Sequence, residues 1–384
     1  MAEHTLPEQF ETFSEARKNG FLAVKKIKDE GGLIAGTFCT FTPKEILDAA
    51  GISPVSLCGM SNETVPDAER DLPKNLCPLI KSSYGFAVSD KCPYTHFADI
   101  LIGETTCDGK KKMYELLGKI KPMYVLQLPQ GVDREYSLPL WTKELRRFRK
   151  VLEEKFNVTI TDEKLRQAAK LRNEIRMAQR ELMELNRAAP PAFPGLDLYK
   201  LMDGTGFRFN LPELRDMLRE TVRQTKADYD AGKRPVPADA KRLLVTGCPI
   251  GGVLDKTVKV AEENGGVVVC FENCGGIKPL RHLVDTEAED IIAAIAEHYL
   301  DIGCAVMAPN DRRIQLIREL VDEFQIEGVI EVDLQTCHPY TVETRRIKTL
   351  CGQLGIPYLA VDTDYSQADL GQLTTRISAF IEMM

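Results

Sequence analysis

The chain has 384 residues, 43% of them hydrophobic and 28% charged, with a formal net charge of −7. That length exceeds one ordinary core and suits two α/β units of roughly 150 residues each plus connecting helices. The acidic balance argues against a nucleic-acid scaffold, which would carry a basic excess, and no stretch approaches the roughly 18 to 20 uninterrupted apolar residues of a membrane span.

The opening MAEHTLPEQFETFSEARKNG has no apolar targeting region, so a cytoplasmic location is expected. Residues 8–30 read as a helical arm with Phe10, Phe13, Phe21, Val24 and Ile27 on one face, ended by Gly31-Gly32. LIAGTF follows as a buried strand, then Cys39. Thr42-Pro43-Lys44-Glu45 reads as a capping box with Thr42 as N-cap. SPVSL, ADILIGET and PMYVLQLP supply three more strands, and CDGKKKMYELLGKI starts a helix with Cys107 in its first turn. Strands alternating with helices predict a parallel sheet covered on both faces.

From Ser137 to about Ala231 the pattern is helical. TDEKLRQAAKLRNEIRMAQRELMELNRA carries Leu165, Ala168, Leu171, Ile175, Leu182 and Leu185 on one stripe and reads as a bridging helix. The basic run Arg146 to Lys150 reads as a solvated face. The α/β rhythm then restarts with strands RLLVTG, GVVVCFEN, GVIEVDLQ and PYLAVDTD, helices over Thr286–Leu300 and Asp311–Phe324, and a closing amphipathic helix. The expected fold class is therefore α/β: two Rossmann-like parallel-sheet lobes joined by a helical segment, with an N-terminal helical arm. The expected boundaries are 1–30 for the arm, 31–136 for the first lobe, 137–235 for the helical linker and 236–384 for the second lobe.

Eleven cysteines are many for a reducing compartment, where disulfides do not persist. Cys39, Cys58, Cys248, Cys274 and Cys337 fall at predicted strand ends, where open α/β sheets bind ligands. Cys107 falls at a helix start, where the dipole favours a thiolate. Cys77, Cys92 and Cys107 recur at equal intervals, the first two before proline. Cys270, Cys304 and Cys351 read as small core hydrophobes. None of the candidates forms the close pairs of zinc modules. Widely separated thiolates from loops of both lobes point instead to an iron-sulfur site at a domain interface. Among the histidines, His96 and His338 sit beside candidate ligands and His338 is the candidate proton donor, whereas His4, His282 and His298 read as surface or packing residues. GCPIGG is neither a Walker A loop nor a dinucleotide fingerprint, so no nucleotide hydrolysis is expected.

The segments GTFCTFTPKEI, NLCPLIKSSYG, ETTCDGKKKMYELL, LQTCHPY and DYSQADLGQLTTRISAFIEM occur in the same order as in the family of 2-hydroxyacyl-CoA dehydratase and benzoyl-CoA reductase subunits, which this sequence resembles over nearly its full length. The extra thiols, Cys92 in DKCPYTHF especially, resemble the branch called double-cubane cluster proteins. The resemblance implies a homodimer whose subunits each carry an 8Fe-9S cluster, two cubanes each held by three cysteines and joined by a sulfide. It also implies a separate ATP-hydrolysing iron-sulfur reductase as electron donor. Carried over by residue, Cys39, Cys77 and Cys337 would hold one cubane and Cys92, Cys107 and Cys274 the second, with Cys248 and Cys58 as replacements. The function implied is ATP-dependent low-potential reduction of a small molecule. The alternatives are a dehydratase subunit with a single 4Fe-4S cluster that binds an acyl-CoA, and a non-enzymatic electron relay. No nucleic-acid or membrane partner is expected.

Overall fold

In the computed structural model, which describes residues 15–384, the chain forms two four-stranded parallel sheets. The beginning of the expected arm, including Phe10 and Phe13, lies outside the described residues; its remainder is α1, Ala16–Asp29, where Val24 is buried. The first sheet uses β1 (Leu33–Thr37), β2 (Ile52–Ser56), β3 (Ile100–Glu104) and β4 (Met123–Leu126), in the order β2-β1-β3-β4. The second uses β5 (Lys241–Gly247), β6 (Gly266–Phe271), β7 (Gly328–Leu334) and β8 (Tyr358–Thr363), in the order β6-β5-β7-β8. Every residue of β3, β6 and β7 is buried, as parallel strands covered on both faces must be.

The two orders are the same pattern of connections. In each lobe the chain steps from the first strand to one side and then crosses to the other. The switch points therefore lie between β1 and β3 and between β5 and β7, where crevices form outside the strands' carboxyl ends.

In the first lobe the helices are α2 (Lys44–Ala49), α3 (Val65–Ala68), α4 (Pro78–Val88), α5 (Pro93–Phe97) and α6 (Asp108–Leu117). The central segment supplies α7 (Ser137–Phe156), α8 (Asp162–Glu184), α9 (Gly195–Thr205) and α10 (Leu211–Asp230). The second lobe adds α11 (Val258–Glu263), α12 (Ile291–Leu300), α13 (Asp311–Glu323), α14 (His338–Leu354) and α15 (Leu370–Glu382). Helix α8 is the bridge. It buries Leu165, Ala169, Ile175, Ala178 and Leu182, pairs Arg172 with Asp48 at 2.6 Å and Arg176 with Glu45 at 2.5 Å in the first lobe, and exchanges two hydrogen bonds between Asn173 and the Val284 backbone towards the second.

Two local expectations are corrected. Thr42 does not cap α2: its hydroxyl donates to Glu104, Pro43 is the N-cap, and Glu45 faces Arg176 instead of closing a capping box. The helix expected from Thr286 starts at Ile291, because Asp290 accepts from Ala293 N and sets the cap there.

Candidate functional site

The strands of both sheets deliver thiols to their carboxyl ends. Cys39 and Cys58 follow β1 and β2, and Cys107 is the N-cap of α6 just after β3. Cys248 follows β5, Cys274 follows β6, and Cys337 is the N-cap of α14 just after β7. Strand for strand, the lobes place cysteines at corresponding positions. Gly247 makes the turn into Cys248: its φ is +109°, and an added Cβ would lie 2.3 Å from Val332 O. Gly252 lets the next loop reach the first lobe, since a Cβ there would meet Met60 O at 2.2 Å.

Six of the thiols fall into two groups of three, with Cys58 facing both. In one, Cys77, the N-cap of α4, neighbours Cys337, which neighbours Cys248. Cys248 Sγ also accepts from Leu334 N at 3.4 Å. The neighbouring Cys337 holds Cys77 above the ordinary thiol range, Cys248 does the same for Cys337, and burial does so for Cys248. In the other group Cys39, Cys274 and Cys304 face one another. Burial, then the neighbouring Cys304, pushes Cys274 up to about 11, and burial raises Cys39 against the opposing charge of Lys110. Lys110 Nζ donates to Phe38 O at 2.7 Å and stands among Cys39, Cys58 and Cys107.

The sequence matches the family described as 2-hydroxyglutaryl-CoA dehydratase, D-component, over residues 39–384. The chain belongs to that family. It is 48% identical over 380 residues to YjiM of Escherichia coli K12, which carries a dehydratase-subunit name, covering 99% of this chain and 98% of that one. It is 25% identical to the (R)-phenyllactyl-CoA dehydratase beta subunit of Clostridium sporogenes, over 59% of this chain and 58% of that one. To a benzoyl-CoA reductase subunit from Thauera aromatica it is 24% identical, over 69% and 68% of the two chains.

In this D-component chain the two groups contain Cys39, Cys77, Cys274 and Cys337 from the sequence-derived candidates, Cys248, which the sequence offers as a replacement, and Cys304. Cys107 stands nearby, across Lys110. Cys92 is set apart from Cys77. It and Cys77 lie at opposite ends of α4, whose eleven residues span about 16 Å, and its Sγ accepts from Thr95 N at 3.5 Å as the cap of α5. Cys304, read from sequence as a core residue, is buried as expected; it sits in the loop between α12 and α13 with Sγ 3.8 Å from Tyr340 OH. His338 is exposed at the start of α14, outside the lining of the adjoining cavity. His298, read as a surface or packing residue, is buried and lines that cavity; burial and Arg176 draw its pKa down to about 3, so the imidazole is neutral.

The surroundings fit a cluster of iron and sulfide. Among the described residues no three His, Cys, Asp or Glu side chains are arranged to hold a single metal ion. Both groups are all sulfur, which selects soft metals and clusters over calcium or magnesium. Thr106 Oγ1, the Asn273 amide and Tyr365 OH are buried beside the thiols without a hydrogen-bond partner among the described residues, and Tyr365 faces Cys77, Cys58 and Cys248. Donors of that kind can hydrogen-bond to cluster sulfurs. Lys278, fully buried, pairs with Glu272 at 2.7 Å, lies 3.3 Å from Tyr340 OH and faces Cys304 and Cys274. With Lys110 it brings positive charge to a site that would hold several thiolates. Glu272 is tied in turn to Arg313, which also binds Glu331 and Glu343, so the frame under Cys274 is rigid.

Proposed function

We propose that this chain holds a double-cubane iron-sulfur cluster and reduces a small molecule with low-potential electrons received from a separate ATP-hydrolysing iron-sulfur reductase. Cys77, Cys248 and Cys337 would hold one cubane, and Cys39, Cys274 and Cys304 the other. The observation that carries the reading is the pair of three-thiol groups at the carboxyl ends of both sheets. Once bound, such a cluster would supply electrons at low potential. The protein's own part is to bury the thiolates, offset their charge with Lys110 and Lys278, and present an adjoining cavity to the substrate. We take the working form to be a homodimer. His338 is exposed, and no proton-donating role in the cavity is proposed for it.

A second reading keeps support from the family description and from the dehydratase names of two relatives: a dehydratase subunit with one 4Fe-4S cluster, acting on an acyl-CoA. The thiols favour the first reading, because one cubane with an open iron needs only three of them. The two separate in turnover assays with the ATPase partner and ATP. Net electron consumption by a small-molecule acceptor supports the reductase. Dehydration of a 2-hydroxyacyl-CoA with electrons needed only in catalytic amounts contradicts it. Cluster reduction with neither reaction would leave an electron relay.

A further inference from the structure

A cavity of about 260 Å³ opens beside the second thiol group, lined by Cys39, Cys58 and Cys274 together with Lys44, Arg172 and Arg176. Its three cations differ in their partners. Arg172 is paired with Asp48 and Arg176 with Glu45, and the lining's acidic residue, Asp203, is itself engaged. Lys44 is different: among the described residues no carboxylate lies in ion-pair contact with its ammonium, and only its backbone N–H is bonded, to Tyr299 OH at 3.1 Å. Burial and the two guanidiniums draw its pKa down to about 8, against the opposing pull of Asp48 and Glu45. Met60 and Met202 supply apolar lining. The volume lies just below the roughly 300–1,000 Å³ of sites that enclose drug-sized ligands, which suits a small ligand or the end of a larger one.

We infer that this cavity is the substrate chamber and takes a small organic carboxylate, its anionic end on Lys44 and its apolar part against Met60 and Met202. The inference deepens the reductase reading and rests on it for what happens to the ligand. The charge preference itself can be tested without any metal.

Iodoacetate and iodoacetamide differ little in size and differ in charge, and each alkylates a thiol with loss of iodide. In the full-length metal-free chain, peptide mapping gives the iodoacetate-to-iodoacetamide rate ratio at Cys58, inside the cavity, and at Cys92, outside it. The expected ratio at Cys58 exceeds that at Cys92 by about fivefold; Lys44→Met removes the difference and Lys44→Arg keeps it. Equal ratios at the two thiols, or a difference unchanged in Lys44→Met, would overturn the inference. In the iron-loaded protein, propionate is expected to perturb the cluster's EPR signal at lower concentration than propionamide, in a Lys44-dependent way; equal potency overturns the anionic assignment. A chain that takes up no iron yet keeps the Lys44-dependent alkylation bias would sink the cluster reading alone.

Discussion

At the scale of single residues, the thiols make the sharpest predictions. Cys304→Ala is expected to cost the protein about as much iron as Cys274→Ala, roughly one cubane's share, whereas Cys92→Ala keeps the full complement. Iron analysis of the three variants checks this, and iron loss in Cys92→Ala alone would restore the sequence-based assignment. Cys77 and Cys92 look alike in sequence, each followed by proline, yet one starts α4 at the sheet's ligand-binding edge and the other lies beyond its far end. Only the direction of the helix separates them, and that is a tertiary fact. Cys304 gave no signal because it follows an apolar helix rather than a strand. Glu262 gives a pH prediction. It accepts from Gly195 N at 2.6 Å and from Leu196 N and Val268 N, but burial outweighs those donors and raises its pKa to about 7. The folded state therefore keeps a proton that the unfolded chain releases from about pH 4.5 upwards. The stability it contributes is complete below that pH and is lost as pH rises through about 7. The melting temperature is expected to fall between about pH 5 and about pH 8, and less steeply in Glu262→Gln; an identical slope in the variant would contradict this.

At the scale of elements, α8 decides how the lobes meet. Its Arg176–Glu45 pair is almost wholly buried, with side-chain exposures of 9% and 0%, and Tyr299 OH donates to the same carboxylate at 2.9 Å. Burial opposes the charge on Glu45, but Arg176 prevails and holds it near 2. Arg176→Met should cost about 3–5 kcal/mol by stranding that carboxylate, and Glu45→Gln in the same chain should recover part of it. Denaturant titrations of the single and double variants measure both. A cost below about 1 kcal/mol would mean the pair is no more than a surface contact. The strands and the long helices were legible in the sequence because their hydrophobic runs and 3.6-residue stripes are local signals. The bounds of α14 were less so: Cys351 reads as lying near a helix end, but the helix opens on Cys337-His338-Pro339, and its end depends on Gly355 taking a left-handed φ of 69°.

At the scale of the molecule, the shared strand order of the two sheets explains why thiols distant in sequence converge. Each lobe opens a crevice at its switch point, and the loops after β2 and β5 meet where Gly252 packs on Met60. No residue-level repeat announces this; the correspondence lies in topology and in where the cysteines follow the strands. Among the described residues no helix is long and apolar enough to cross a membrane. The claim that most needs testing is that both thiol groups carry metal. Anaerobic determination of iron and acid-labile sulfide in the full-length chain tests it directly: a double cubane predicts about eight irons and nine sulfides per chain, and about four of each would contradict it.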